Sequence, residues 1–207
     1  MARNLIGNVY PTDEYLLSRC APAGYGLGEE LPIVDKAGLD NWISSGWCIY
    51  YDAFNKDSTL GGSAFVNCKG NNSSITGAVI QEAHQQDGYG VNTLTRAYIG
   101  GEWTPWEYIN PPMLLGVEYR TTERYMGKPV YTKLVDCGTI QTKVFAHGCA
   151  AITVVRCCGT TSMGTTIPYR WNDNYLSVSA DRTNIHICTN TDFSSQTCSV
   201  QLWYTKD

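Results

Sequence analysis

Along most of this chain apolar and polar positions alternate with a period of two, the signature of strands with one buried face. One early stretch departs from that period. "IVDKAGLDNWISSG" (33–46) predicts a helix capped by Asp35, with Leu39, Trp42 and Ile43 on one face and Gly46 as its stop. From Gly46 onward strand patterns follow one another: "GWCIYYDA", "SAFVNCK", "ITGAVIQEA" and "VNTLTRAYI". In the last of these Leu94, Arg96 and Tyr98 fall on one side and Thr93, Thr95, Ala97 and Ile99 on the other. Gly100-Gly101 then predicts a two-residue turn, with "EWTPWEYI" returning as the partner strand. A spacing of three puts Trp103 and Trp106 on opposite faces of such a strand, one in the core and one partly exposed. Packing is the expected role of this pair, and stacking on a sugar is the competing one.

Pro111-Pro112 closes this region, because successive prolines donate nothing to a sheet. Beyond it "PVYTKLVDCGTI", "CAAITVVRC", "YLSVSADRTNIHICT" and "CSVQLWYTK" recur as strands, with "ADRTN" as a hairpin connection. No helix is required there, so the expectation is an antiparallel β-sandwich. Residues 1–20 read as a lead-in with one helical turn from Asp13 to Ser18, and "APAGYGLGEELP" (21–32) as irregular chain.

Composition narrows the function. Of the 207 residues only 16% are charged, against roughly 25% in ordinary soluble domains, while Gly (20) and Tyr (14) are plentiful. That balance fits turn-rich β-structure, and low charge suits surface covered in an oligomer. "CAAITVVRC" reads as apolar on both sides, which a single small sandwich would leave partly uncovered. With a net charge of −4 and no basic run, nucleic acid is excluded as a partner. No segment has the length and apolarity of a membrane span, and "MARNLIGNVYP" has no signal-peptide core, so a soluble protein made in a cytoplasm is expected, with no membrane insertion. The nine cysteines include no CxxC, which favours free buried thiols and no disulfide framework. Zinc binding stands as the alternative.

Catalytic chemistry has little to start from. Asp35/Asp40 and Glu29/Glu30 lie where capping and solvation explain them, and His84, His147 and His186 have no spaced nucleophile. Buried or hydrogen-bonded roles are expected for all three histidines, and Cys149 is expected merely to share a strand face with His147. The chain is therefore read as a non-enzyme, with no catalytic residues, metal site or cofactor. "TTIPYRWNDNYLS" (165–177) instead gathers aromatic and planar polar groups in one loop. Tyr169, Trp171, Asp173, Asn174 and Tyr175 are the candidate ligand-binding residues, in the format of an aromatic face beside a few placed polar groups. The competing reading is a long hairpin loop whose Asn and Asp serve turns and whose Trp packs inward.

The order "APAGYGLGE…LDNWISSGWCIYY…GYGVNTLTRAYIGGEWTPWEYI" resembles the pyocin-knob module of phage tail fibres and tail-derived bacteriocins. "VEYRTTERYMGKPVYTKLVDCGTI" (117–140) and the closing "SVQLWYTKD" are similar to the C-terminal domain of siphophage and prophage fibres. The resemblance implies a mainly β protein: an attachment segment (1–20), a knob-like α+β domain with one short helix (21–110), and a C-terminal sandwich (111–207) as receptor-binding tip. It further implies a virion homotrimer that binds host cell-surface polysaccharide or another envelope receptor and meets other tail or baseplate proteins through its N-terminus. The lead-in is too short for a coiled-coil shaft, so a short fibre or one hung from another protein is expected. A carbohydrate-binding lectin outside any virion, and a structural adaptor or spike without receptor binding, are the alternatives.

Overall fold

The computed structural model describes residues 31–53, 59–71, 79–87 and 90–207. The lead-in, its Asp13–Ser18 turn, nearly all of the irregular 21–32 stretch and the first residues of "ITGAVIQEA" lie outside the described residues. The chain divides into two compact units between Trp106 and Glu107. It is mainly β.

In the first unit β1 (Ile33–Val34) runs parallel to β2 (Ser44–Tyr51). An antiparallel meander follows through β3 (Ser63–Asn71), β4 (Val79–Asp87) and β5 (Gly90–Ile99), and β6 (Glu102–Trp103) folds back on β5. The glycine turn forms as expected, with Gly100 and Gly101 both at positive φ and Ile99 paired to Glu102. Alternation buries Cys48 and Tyr50 of β2, Ala64, Val66 and Cys68 of β3, Val79 and Ala83 of β4, and Leu94 of β5 on one face.

The helix α1 is shorter than the sequence pattern predicts. It spans Lys36–Asp40, with the Asp35 carboxylate accepting from Gly38 N–H at 2.7 Å as its N-cap. It stops at Asn41, before Trp42, Ile43 and Gly46, where a buried side chain bonds one carbonyl of its last turn and one just beyond it. Gln81 of β4, fully buried, donates through Nε2 to both Leu39 O and Trp42 O at 2.9 Å. With those acceptors taken the chain turns into β2, and Gly46 sits at positive φ beside a bulge.

The second unit is built on two sheets. The larger runs in the order β7 (Glu107–Tyr108), β8 (Glu118–Tyr125), β9 (Lys128–Thr139), β16 (Thr197–Lys206), β11 (Ile152–Thr161), β12 (Thr166–Ile167). The smaller runs β10 (Lys143–Ala146), β15 (Asn184–Thr189), β14 (Asn174–Ala180), β13 (Tyr169–Trp171). Pairing is antiparallel throughout except the single β7–β8 register, Tyr108 with Thr121, and the Leu115–Leu134 bridge. Ile152, Ile167, Val200, Leu202 and Tyr204 from one sheet meet Leu176, Ile185 and Ile187 from the other, so the core lies between the sheets as in a sandwich. Gly159 lets β11 lie close between its neighbours β16 and β12: a Cβ there would lie 3.0 Å from Ser199 O and 3.1 Å from Ile167 Cδ1.

The stretch "CAAITVVRC" departs from its expected pattern. Strand β11 begins only at Ile152, a bulge interrupts its pairing between Val154 and Arg156, and one of its faces is open. Thr153, Arg156, Cys158 and Thr160 are exposed, with the Arg156 guanidinium 4.3 Å from the Trp203 ring. Its apolar run is therefore covered on one side within the chain.

Candidate functional site

The 165–177 segment is a strand-and-hairpin element. After β12 and Pro168 the chain forms β13, turns at Asn172-Asp173, and returns as β14 with Trp171 opposite Asn174 and Arg170 opposite Tyr175. Asn172 takes the turn's positive φ, 53°, a conformation that Asn tolerates better than most residues. Asp173 O accepts from Asn190 Nδ2 at 2.7 Å, and Asn190 Oδ1 accepts from Tyr175 N–H at 2.8 Å. Thr191 Oγ1 donates to Asn174 Oδ1 at 2.8 Å. The tip is thus braced from the segment after β15.

Pleating separates the five candidate residues. Tyr169, Trp171 and Asn174 share one face with buried Leu176, while Tyr175 lies on the other with Arg170. Tyr169 is half-buried and meets Phe193 edge-on at 6.4 Å, so it supports the hairpin from beneath. Trp171 does not pack inward: it lies past the end of the core and is 65% exposed. On the opposite face the Tyr175 hydroxyl sits 3.6 Å from Cys188 Sγ, a contact that raises the phenol above the ordinary tyrosine value. The structure therefore brings Trp171 and Asn174 together and places Tyr175 apart from them. Asn190 and Thr191 were missed in the sequence because their partners lie 15 to 17 residues away.

A second constellation lies in the first unit, where Lys36, Asp40, Arg96, Trp103, Thr104 and Trp106 line an open cleft of about 390 Å³. Arg96 extends from the inward face of β5 and is only 6% exposed. Its Nε donates to Gln81 Oε1 at 2.9 Å and its Nη1 meets Asp40 Oδ1 at 2.8 Å. Both indoles contact the same guanidinium, Trp103 at 4.3 Å and Trp106 at 4.5 Å from ring centroid to Cζ. Opposite strand faces were expected for this pair. The strand breaks at Thr104-Pro105, after the Trp103 indole Nε1–H has bonded Asp40 O at 2.7 Å, and the second indole swings onto the guanidinium. As anticipated, one of the two is core (Trp106, 5% exposed) and the other half-buried. The signal for the constellation was present in the sequence: Arg96 is in phase with Leu94, a charge on a buried face that requires partners.

The histidines are hydrogen-bonded. His147 is buried, its Nδ1 accepting from Cys149 N–H at 3.1 Å and its Nε2 facing Asp181 O at 3.3 Å. The expected strand geometry for this pair is replaced by irregular chain after β10, and Cys149 Sγ points to the Tyr204 hydroxyl at 3.4 Å. His186 pairs with Asp181, which also caps the β14–β15 hairpin by accepting from Thr183 and Asn184 N–H. These contacts, His186 foremost, hold the Asp181 carboxyl well below the usual carboxylate range. His84 meets Glu82 at 3.2 Å. The eight described cysteines are free thiols, and burial pushes Cys48 and Cys68 up to about 11. Among the described residues no group of three or more His, Cys, Asp and Glu side chains is placed to hold a metal ion.

The fold and these surfaces define a mainly β protein with an exposed indole beside an amide at the end of a hairpin. No family model and no curated protein matches the chain. Among solved structures it aligns with an N-truncated R2-type pyocin tail fibre at 11% identity, covering 85% of this chain and 96% of that one, with a TM-score of 0.27.

Proposed function

We propose that this chain is the receptor-binding part of a phage or phage-derived tail fibre, a virion homotrimer that attaches to bacterial surface polysaccharide through the β13–β14 hairpin. The observation that carries the reading is Trp171: a large indole, 65% exposed, on a braced hairpin beside an amide whose orientation Thr191 fixes. An exposed indole is apolar on its face and polar at its edge, and a pyranose offers a matching apolar face with hydroxyls for Asn174 and Asp173. The knob-like and fibre-like motifs of the sequence support the same assignment. A single such contact is weak, because wet hydrogen bonds give little net energy. Three copies on one particle raise avidity by about 10²–10⁴.

Titration of the purified protein with envelope polysaccharide from a bound strain tests the site. Wild type is expected to bind, and Trp171→Ala, folded to the same extent, to lose most of the affinity. Equal binding by both proteins would remove the hairpin from the site. Light scattering tests the assembly: a trimer is expected, and a monomer that binds glycan would favour the free-standing lectin. A trimer that binds no envelope fraction would favour the adaptor.

A further inference from the structure

We propose a second binding site, for a single neutral saccharide ring, in the cleft that Asp40, Lys36, Trp103 and Trp106 form around Arg96. The cleft is independent of the hairpin and lies wholly in the first unit. Its volume, about 390 Å³, falls within the range of small-ligand sites. Its floor is preorganised. Arg96 is held by Gln81, Asp40 and two indoles, so its charge is compensated and its rotamer fixed before any ligand arrives. Asp40 and Lys36, 3.2 Å apart and both partly open to solvent, put a carboxylate acceptor and an ammonium donor side by side at the rim. Adjacent donor and acceptor groups of this kind suit vicinal hydroxyls, each of which both donates and accepts.

The walls supply the rest. Trp103 is half-buried, giving an apolar surface beside the charged rim. Trp106 also lines the cleft, and among the described residues its Nε1–H has no acceptor although the side chain is buried. Buried indole N–H groups ordinarily find a partner, and this one, itself shielded from solvent, has none among the described residues. The chemistry argues against other small ligands. A lipid or flat hydrocarbon would desolvate Asp40 and Lys36 without replacing their water. A simple anion would have to compete with Asp40, which already holds both cations. A polyol ring satisfies the rim and covers the indole at once.

The test uses the full chain labelled with ¹⁵N, whose six tryptophans report as separate indole N–H signals. Trp103→Phe and Trp106→Phe assign the two signals of interest. The probes are methyl glycosides of glucose, galactose and N-acetylglucosamine, with glucuronate, sodium acetate and inorganic phosphate as comparisons. The expected result is a saturable shift of the Trp103 and Trp106 signals with at least one neutral glycoside, about tenfold weaker in Lys36→Ala, which removes one charged hydrogen bond. Trp171→Ala should leave that shift intact, so this site stands or falls separately from the hairpin. No shift with any neutral glycoside would overturn the proposal. So would an equal shift with acetate or phosphate, which would mark an anion site, or an unchanged affinity in Lys36→Ala.

Discussion

The two units solve the same problem, covering one face of a sheet, by opposite means. In the second unit two sheets supply the cover for each other, and the core between them is mostly aliphatic, Ile140, Ile152, Ile167, Leu176, Ile185, Ile187, Val200 and Leu202, with Cys137, Cys198 and Tyr204 among them. In the first, among the described residues, the cover is one five-residue helix and an indole pair, fastened by a polar stitch from Gln81 and Arg96 to Leu39, Trp42 and Asp40. An aliphatic core tolerates imprecision, because its attraction is non-directional and scales with area. A buried charge does not, since each donor and acceptor must be met or the desolvation cost returns in full. Sandwich packing therefore suits a unit that presents a surface tip, and directional bonding suits one that holds a shaped cleft.

Substitutions break this contrast in a graded way. Leu202→Ala, at a fully buried position of β16, should cost the second unit about 3–5 kcal/mol by leaving a cavity, read as a lower denaturation midpoint. Arg96→Met should cost the first unit about 3 kcal/mol, by stranding the Gln81 side-chain oxygen and removing the cation between the indoles. The sharper version pairs Arg96→Met with Gln81→Met. If the stitch acts as a unit, the double variant costs clearly less than the sum of the singles, whereas additive costs would show the two residues to be independent.

Gly159→Ala comes next, at about 1–3 kcal/mol, because its Cβ would press on Ser199 O and Ile167. The thiols give the smallest effect. Cys48 and Cys68 have folded-state values of about 11, raised by burial above the unfolded value near 9.0. Their stabilising term is complete below pH 9 and is lost as the pH rises toward 11, so the first unit should weaken over that alkaline window and Cys48→Ala should flatten the decline. In native protein at neutral pH, thiol reagents should reach exposed Cys158 and Cys188 first and buried Cys48, Cys68, Cys137 and Cys198 only on unfolding.

What the sequence disclosed follows the same divide. Period-two alternation located β5, β9, the β14–β15 hairpin and β16, because a face buried against apolar neighbours writes itself into consecutive residues. The Asp35 cap and the Gly100-Gly101 turn were legible for the same reason, each being a local bond or a local φ. The helix end was not, since it depends on Gln81, 42 residues from Leu39. Nor was the convergence of Trp103 and Trp106 on one guanidinium, which a local strand pattern would forbid. At the candidate tip the residue types were legible as an aromatic-amide cluster. Their partition between two hairpin faces was not, because it follows from the Trp171–Asn174 register.

The central claim is that the exposed indole on the second unit makes the attachment. It is tested most directly by adsorption of the labelled protein to whole cells of a strain that wild type binds. Wild type, Trp171→Ala and Tyr175→Ala are compared after circular dichroism and light scattering have matched their fold and assembly. The account predicts near-complete loss of adsorption for Trp171→Ala and a smaller loss for Tyr175→Ala, which lies on the other face of the hairpin. Full adsorption by a correctly assembled Trp171→Ala protein would contradict it.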